Sequence, residues 1–190
     1  MTTAIDTVAA IKDKFAAEVL SENEFRDEQT ILVSLSALPA ILAYCKDELD
    51  FDYLVDISSV DNMGEEPRFE MVYELYSLQT HVHLRIKARV SEDNLEVASV
   101  VDLWPTADWH EREVYDMMGI RFKNHPDLRR ILMWEGYPYY PLRKDFPLAG
   151  KPSDMPEVAF TKPAPLAGGP FVSSDSKDRV TGEPRARGES

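Results

Sequence analysis

Residues 69–90 read Phe-Glu-Met-Val-Tyr-Glu-Leu-Tyr-Ser-Leu-Gln-Thr-His-Val-His-Leu-Arg-Ile-Lys-Ala-Arg-Val, two runs that alternate apolar and polar around a short polar centre. A strand sends successive side chains to opposite faces, so Phe69, Met71, Tyr73 and Leu75 share one face of the first run. Val82, Leu84, Ile86, Ala88 and Val90 share one face of the second, with His81, His83, Arg85, Lys87 and Arg89 opposite. A two-residue loop at Gln79-Thr80 sets Leu78 against His81, Glu74 against Arg85 and Glu70 against Arg89. The charges then complement one another across the pair, which supports an antiparallel hairpin. Gln-Thr is poor chemistry for a tight primed turn, so a longer loop stays open as an alternative. His81 and His83 point the same way, as two metal ligands would, but share their face with Arg85 and Lys87. Cations repel a metal, and a solvated basic stripe is the favoured reading.

Working outward, Phe51, Tyr53, Val55 and Ile57 alternate into a further strand, closed by the turn-rich Asp61-Asn62-Met63-Gly64. Upstream, Ile31, Val33 and Leu35 form another strand. Ser36 and Pro39 open a helix whose apolar stripe is Leu38, Ile41, Leu42, Cys45 and Leu49. Cys45 lies on that stripe and reads as a packed small hydrophobe rather than a reactive thiol. Ile5, Val8, Ala9, Phe15, Ala16 and Val19 recur at helical spacing, with Lys12 out of place, and predict an amphipathic helix over about 4–20. The expected fold is α+β: a two-layer domain with a mixed β-sheet and helices packed on one face, strand order left open.

Downstream, residues 104–119 read Trp-Pro-Thr-Ala-Asp-Trp-His-Glu-Arg-Glu-Val-Tyr-Asp-Met-Met-Gly. Pro105 suits a first helical turn and Gly119 a C-terminal cap, so this is a third helix. Its packing stripe, Ala107, Glu111, Val114, Tyr115 and Met118, carries a carboxylate in mid-face. An unpaired buried charge is costly, so Glu111 is expected to find a cation among Arg129, Arg130 and Arg143. Asp108, Arg112 and Asp116 stand at i, i+4 and i+8, which puts one guanidinium between two carboxylates. Several acids on one helix could be a general acid and base, as in a stand-alone hydrolase using Glu111 and Asp116. With an Arg within reach of each, their pKa values should be held low, and a structural ion-pair network is favoured over catalysis.

The chain has 190 residues, 21 basic and 34 acidic side chains and a formal charge of −13, with 44% hydrophobic residues. That supports one core and argues against free-standing nucleic-acid or anionic-membrane binding, which need a basic face. One cysteine excludes an intrachain disulfide, a four-cysteine zinc site and a self-contained iron–sulfur cluster. No run of about 18 apolar residues could span a bilayer, and the first residues lack a signal-peptide layout; a soluble, unexported chain is expected. Residues 1–100 hold 8 basic and 20 acidic groups, and residues 151–190 hold 6 of each. From Lys151 onward Pro152, Pro156, Pro163, Pro165, Pro170 and Pro184 stand among Gly, Ser and charged residues without an apolar period. The expectation is a domain over 1–150 and a Pro-rich arm over 151–190, either disordered or extended and ordering on a partner.

Three pieces carry a family resemblance: Glu111-Arg112-Glu113 with Tyr115-Asp116 and Gly119; Asp127-Leu128-Arg129-Arg130-Ile131-Leu132-Met133; and Pro141-Leu142-Arg143-Lys144-Asp145-Phe146-Pro147. In this order and spacing the chain resembles the 30 kDa subunit of respiratory complex I, the proton-pumping NADH:quinone oxidoreductase. Two departures stand out: Met118 occupies a position usually aromatic in the family, and Tyr137-Pro138-Tyr139-Tyr140 lengthens a loop that is usually shorter.

The resemblance implies a non-catalytic structural subunit of the peripheral arm, enzymatic only as part of the NADH:quinone oxidoreductase translocase. It implies no catalytic residue, metal or cofactor in this chain, with flavin and iron–sulfur clusters in partner subunits. The implied partners are the large quinone-site subunit and the cluster-bearing subunits, with an indirect, peripheral attachment to the cytoplasmic side of the bacterial inner membrane. Glu111, Arg112, Glu113, Asp116, Arg130, Arg143, Lys144 and Asp145 are the expected fold-locking and docking cluster. Related modules in membrane-bound nickel–iron hydrogenases and deazaflavin-linked quinone reductases give the alternative assignment.

Overall fold

A computed structural model describes residues 4–150, and the expected C-terminal arm lies outside the described residues. The chain divides into two units, Met1–Tyr140 and Pro141–Ser190. The helices and strands of the described residues belong to the first: α1 (Ala4–Phe15), β1 (Val19–Phe25), β2 (Glu28–Val33), α2 (Leu38–Glu48), β3 (Tyr53–Asp61), β4 (Phe69–Tyr76), β5 (His83–Val90), β6 (Glu96–Ala98), α3 (Ala107–Met118) and β7 (Arg121–Lys123).

Five strands form one sheet in the order β1-β2-β5-β4-β3. β2 runs parallel to β5 and the other pairs are antiparallel, so the sheet is mixed. The β4–β5 register is the expected one, with Glu70 opposite Arg89 and Glu74 opposite Arg85. The turn takes the longer alternative. The Ser77 N–H donates to Val82 O at 3.0 Å, the His81 N–H donates to Ser77 O at 2.9 Å, and His81 has a φ of 59°.

Ile31, Val33, Met71, Tyr73, Leu75, Leu84, Ile86 and Ala88 bury one face of the sheet in a core shared with Val8 and Ile11 of α1 and Leu38, Ile41, Leu42 and Cys45 of α2. The other face is a lattice of charges: Arg85 pairs with Glu74 and Glu28, Lys87 with Glu70 at 2.8 Å, and Arg89 with Glu65 at 2.7 Å. Alternation thus separates an oily layer from a wetted one, and helices cover only the first.

Two expectations need correction. The first helix stops at Phe15, and Val19 opens β1, an edge strand with six of its seven residues exposed. An edge strand without a buried face has no apolar alternation to read. In β3, Leu54 and Ile57 are buried while Tyr53 and Val55 are 48% and 38% exposed. A bulge between Leu54 and Asp56 inserts a residue and reverses the phase that strict alternation assumes.

Arg26 (φ 53°) and Asp27 (φ 66°) form the two-residue β1–β2 turn, between the paired Phe25 and Glu28. Both hold the left-handed conformation that Asn-Gly adopts most readily. The double substitution Arg26→Asn with Asp27→Gly is expected to stabilise the chain by about 1 kcal/mol. Urea unfolding of the variant and its parent checks this; an unchanged or lower midpoint would reject it.

Candidate functional site

Helix α3 is positioned before it begins. The Trp104 indole N–H donates to Phe51 O at 3.1 Å, and the Lys46 ammonium donates to Leu103 O, tying the preceding loop to the start of β3 and the end of α2. The helix packs on β3 and ends at Gly119, whose N–H donates to Tyr115 O at 2.9 Å with a φ of 79°. That left-handed cap is inexpensive for glycine, which lets the chain turn sharply into β7.

Asp116 is the organising residue of the surface that follows. Its side chain is fully buried, and one oxygen, Oδ2, accepts three successive backbone N–H groups, from Ile131 (3.0 Å), Leu132 (2.7 Å) and Met133 (2.8 Å). The other, Oδ1, pairs with the Arg130 guanidinium. Burial alone would raise this carboxyl, but the Met133, Leu132 and Ile131 N–H groups and Arg130 together hold it below the usual carboxylate range. Arg130 also donates to Asp116 O (3.0 Å) and Tyr139 O (3.1 Å), and its guanidinium carbon lies 5.6 Å from the Tyr137 ring centroid. One carboxylate therefore fixes segment 130–133, which has no helix or strand of its own.

Arg112 does not sit between Asp108 and Asp116. Its Nε and Nη2 donate to Arg129 O (3.2 Å) and Arg130 O (3.4 Å), and its guanidinium carbon lies 5.2 Å from the Trp109 ring centroid. Helical spacing places residues on one face but does not decide which way a long side chain bends. Backbone carbonyls left open by the irregular segment 129–130 draw the guanidinium instead.

Glu111 departs furthest from expectation, because no Arg reaches it. Its side chain is 0% exposed; Oε1 accepts the Val100 N–H at 2.7 Å, and the carboxylate also accepts the Ser99 hydroxyl. Among the described residues Oε2 has no hydrogen-bond partner, and His125 is the cationic candidate beside it, with Nε2 at 3.9 Å. His125 lies between the acids: its Nε2 is 3.3 Å from Asp108 Oδ1, and its Nδ1 accepts the Asp127 N–H at 3.0 Å. Burial, reinforced by the Asp108 charge, pushes the Glu111 carboxyl up to about 7 against hydrogen bonds from Val100 and Ser99. The mid-face carboxylate is thus a backbone acceptor that staples the 99–104 loop to α3. The low pKa expected for every acid of this helix holds for Asp116 and fails for Glu111. His125 carries no sequence signal of its own beyond standing in a His-Pro-Asp turn.

Of the remaining expected residues, Glu113 is exposed on the outer side of α3. Arg143, Lys144 and Asp145 belong to the second unit, where the Phe146 N–H donates to Arg143 O at 3.0 Å. The structure therefore brings Arg112, Asp116 and Arg130 together and seals Glu111 in a separate buried cluster. Beside the first group opens a cleft of about 550 Å3, lined by Arg112, Tyr115, Leu128, Arg130, Glu135 and Tyr137 among others. Trp109 and Leu132, at 59% and 61% exposure, add bare apolar surface. A fixed segment with exposed aromatic and aliphatic groups and a lined cleft is suited to binding a protein surface.

Comparison with known proteins bears on this surface. Residues 31–152 match the family described as respiratory-chain NADH dehydrogenase, 30 Kd subunit. The chain is 46% identical over 143 residues to the C subunit of NADH-quinone oxidoreductase from Geotalea uraniireducens (strain Rf4), an alignment that covers 75% of this chain and 87% of that one. It is 52% identical over 117 residues to the NADH-quinone oxidoreductase "C 2" subunit of Rhizobium meliloti (strain 1021), covering 62% and 64%. Among solved structures, the trypsin-resistant fragment of Nqo5 aligns with a TM-score of 0.57 at 28% identity, over 64% of this chain and 96% of that one. A chain of the membrane-bound sulfane sulfur reductase, an archaeal respiratory membrane complex, aligns with a TM-score of 0.67 at 24% identity, over 76% and 85%. At that identity the second likeness concerns the fold alone.

Proposed function

The chain belongs to the respiratory-chain NADH dehydrogenase 30 kDa subunit family, and from that premise we propose that it is a structural subunit of the peripheral arm of a proton-translocating NADH:quinone oxidoreductase. In this reading it docks on the large quinone-site subunit and holds the electron-transfer subunits in register, while residues 151–190 extend over neighbours. The observation that carries it is the braced segment 127–133. A buried aspartate and two arginines are spent on fixing a surface segment without helix or strand, which holds Leu128 and Met133 against the core and leaves Leu132 exposed.

The acids of α3 support scaffolding over chemistry. Glu111 and Asp116 are fully buried, and both oxygens of Asp116 are taken up by backbone N–H groups and Arg130, which favours a bracing role for that pair over proton transfer. A single cysteine cannot ligate an iron–sulfur cluster by itself, which supports the view that the clusters reside in partner subunits. No helix among the described residues is long and apolar enough to cross a membrane. Attachment at the cytoplasmic side of the inner membrane would then run through the assembled complex. Subunits held to about an angstrom matter because electron transfer and quinone access depend on their spacing.

Mild solubilisation of the source membranes, pull-down of the chain and identification of its partners, with an NADH-to-quinone assay, tests the proposal. Flavin- and cluster-bearing subunits with NADH oxidation are the expected recovery. A nickel–iron hydrogenase or deazaflavin-linked set would transfer the chain to that machine, and recovery of the chain alone would refute both.

A further inference from the structure

Arg112 is 8% exposed and lines the cleft, yet among the described residues it forms no ion pair. Its two hydrogen bonds are to carbonyls, from Nε and Nη2, which leaves Nη1 without a partner among those residues. The other arginines of the cleft are committed: Arg130 to Asp116, and Arg129 to Asp127 at 2.8 Å. A guanidinium desolvated to this degree without a counter-charge is unfavourable by itself, and an anion brought from outside would relieve it. In a chain of net charge −13, the cleft is a local positive exception.

Resting on the docking role above, we propose that the cleft receives an Asp or Glu side chain of a neighbouring subunit, its carboxylate against the Arg112 guanidinium and its apolar flank against Tyr115, Leu128 and Tyr137. One uncommitted positive charge matches one carboxylate. A phosphate of charge near −2 would be left under-compensated beside Glu135. Tyr115, Leu128 and Tyr137 give the wall an aromatic and aliphatic part, and the Trp109 ring lies 5.2 Å from the guanidinium carbon, surroundings that suit a protein anchor better than a diffusible ion. The pairing gives register more than attraction, since an acidic chain does not steer an acidic partner from a distance.

The experiment uses the assembled complex in its membranes, carrying the full chain. Arg112→Lys supplies an amine that a carbodiimide joins to a contacting carboxylate, the activated carboxyl losing urea as the amide forms. The expected product, found by mass spectrometry, is an amide between position 112 and an Asp or Glu of another subunit. Arg112→Gln is expected to reduce the complex retained after a high-salt wash by about tenfold. The inference is overturned by a link to this chain's own carboxylates, those of residues 151–190 included, or to a second copy of the chain. It is equally overturned if Arg112→Lys assembles without a link and Arg112→Gln is retained like the parent. Failure of the parent chain itself to co-purify with other subunits would instead overturn the docking role and this inference together.

Discussion

Asp116→Ala is expected to cost the isolated chain about 3–5 kcal/mol and to abolish its incorporation into the complex. The substitution removes the acceptor of three consecutive backbone N–H groups and the counter-ion of Arg130 in one step. Neither loss is made good by water, because the carboxylate is fully buried and the guanidinium nearly so. Asp116→Asn keeps an oxygen for the N–H groups but turns an amide donor toward Arg130, so an intermediate loss of about 2 kcal/mol is expected. Chemical denaturation of parent and both variants at pH 7 measures these values. A loss below about 1 kcal/mol for Asp116→Ala would mean that segment 130–133 is held by something else. The pH dependence has a definite sign. The folded carboxyl lies below its ordinary value, so its contribution is fully present above the unfolded pKa near 4 and is lost as pH falls through the lower folded one.

Glu111 should behave in the opposite sense. Its folded carboxyl rises from 4.5 to about 7, so between those values the folded chain holds a proton that the unfolded chain has released. Stability therefore falls as pH rises through that window, by about 3 kcal/mol in all, and levels off above it. Glu111→Gln keeps an acceptor for Val100 and carries no charge. It is expected to flatten this slope and to exceed the parent in stability at pH 8. Glu111→Ala leaves the buried Val100 N–H and a cavity, for a loss of about 2–4 kcal/mol at pH 5 and a lowered yield of assembled complex. The cause is a released loop, since no arginine loses its partner. Urea unfolding of the three proteins at pH 5, 6, 7 and 8 decides the matter. Equal slopes for the parent and Glu111→Gln would show that the carboxyl titrates outside this window.

The hairpin over 69–90 was legible because both strands have one buried face, so period-two alternation gives the inner residues and the charge pairs give the register. β1 and the β3 bulge were not, since an exposed edge strand and an inserted residue both break the only pattern a sheet writes into its sequence. On α3 the spacing placed Glu111 on the buried face but misassigned the partners of the charged residues. Asp116 with Arg130 was within the expected set. Glu111 with Val100 and Ser99, and Arg112 with two carbonyls, depended on loops whose backbone groups a sequence does not advertise. The burial of Glu111 was foreseeable, and its reliance on backbone and hydroxyl donors in place of an arginine was not.

The sheet order also has a consequence for synthesis. β2 lies between β1, made just before it, and β5, made only after α2, β3 and β4. On the ribosome the β1–β2 hairpin therefore emerges with the bare edge of β2 waiting, and Ile31 meets Ile86 only after the whole β3–β4–β5 meander has followed. During that interval the first hairpin is a sticky edge that any extended chain can join. The five-stranded sheet is completed by its middle strand, and the order of translation keeps the edge of β2 open until that strand has been made.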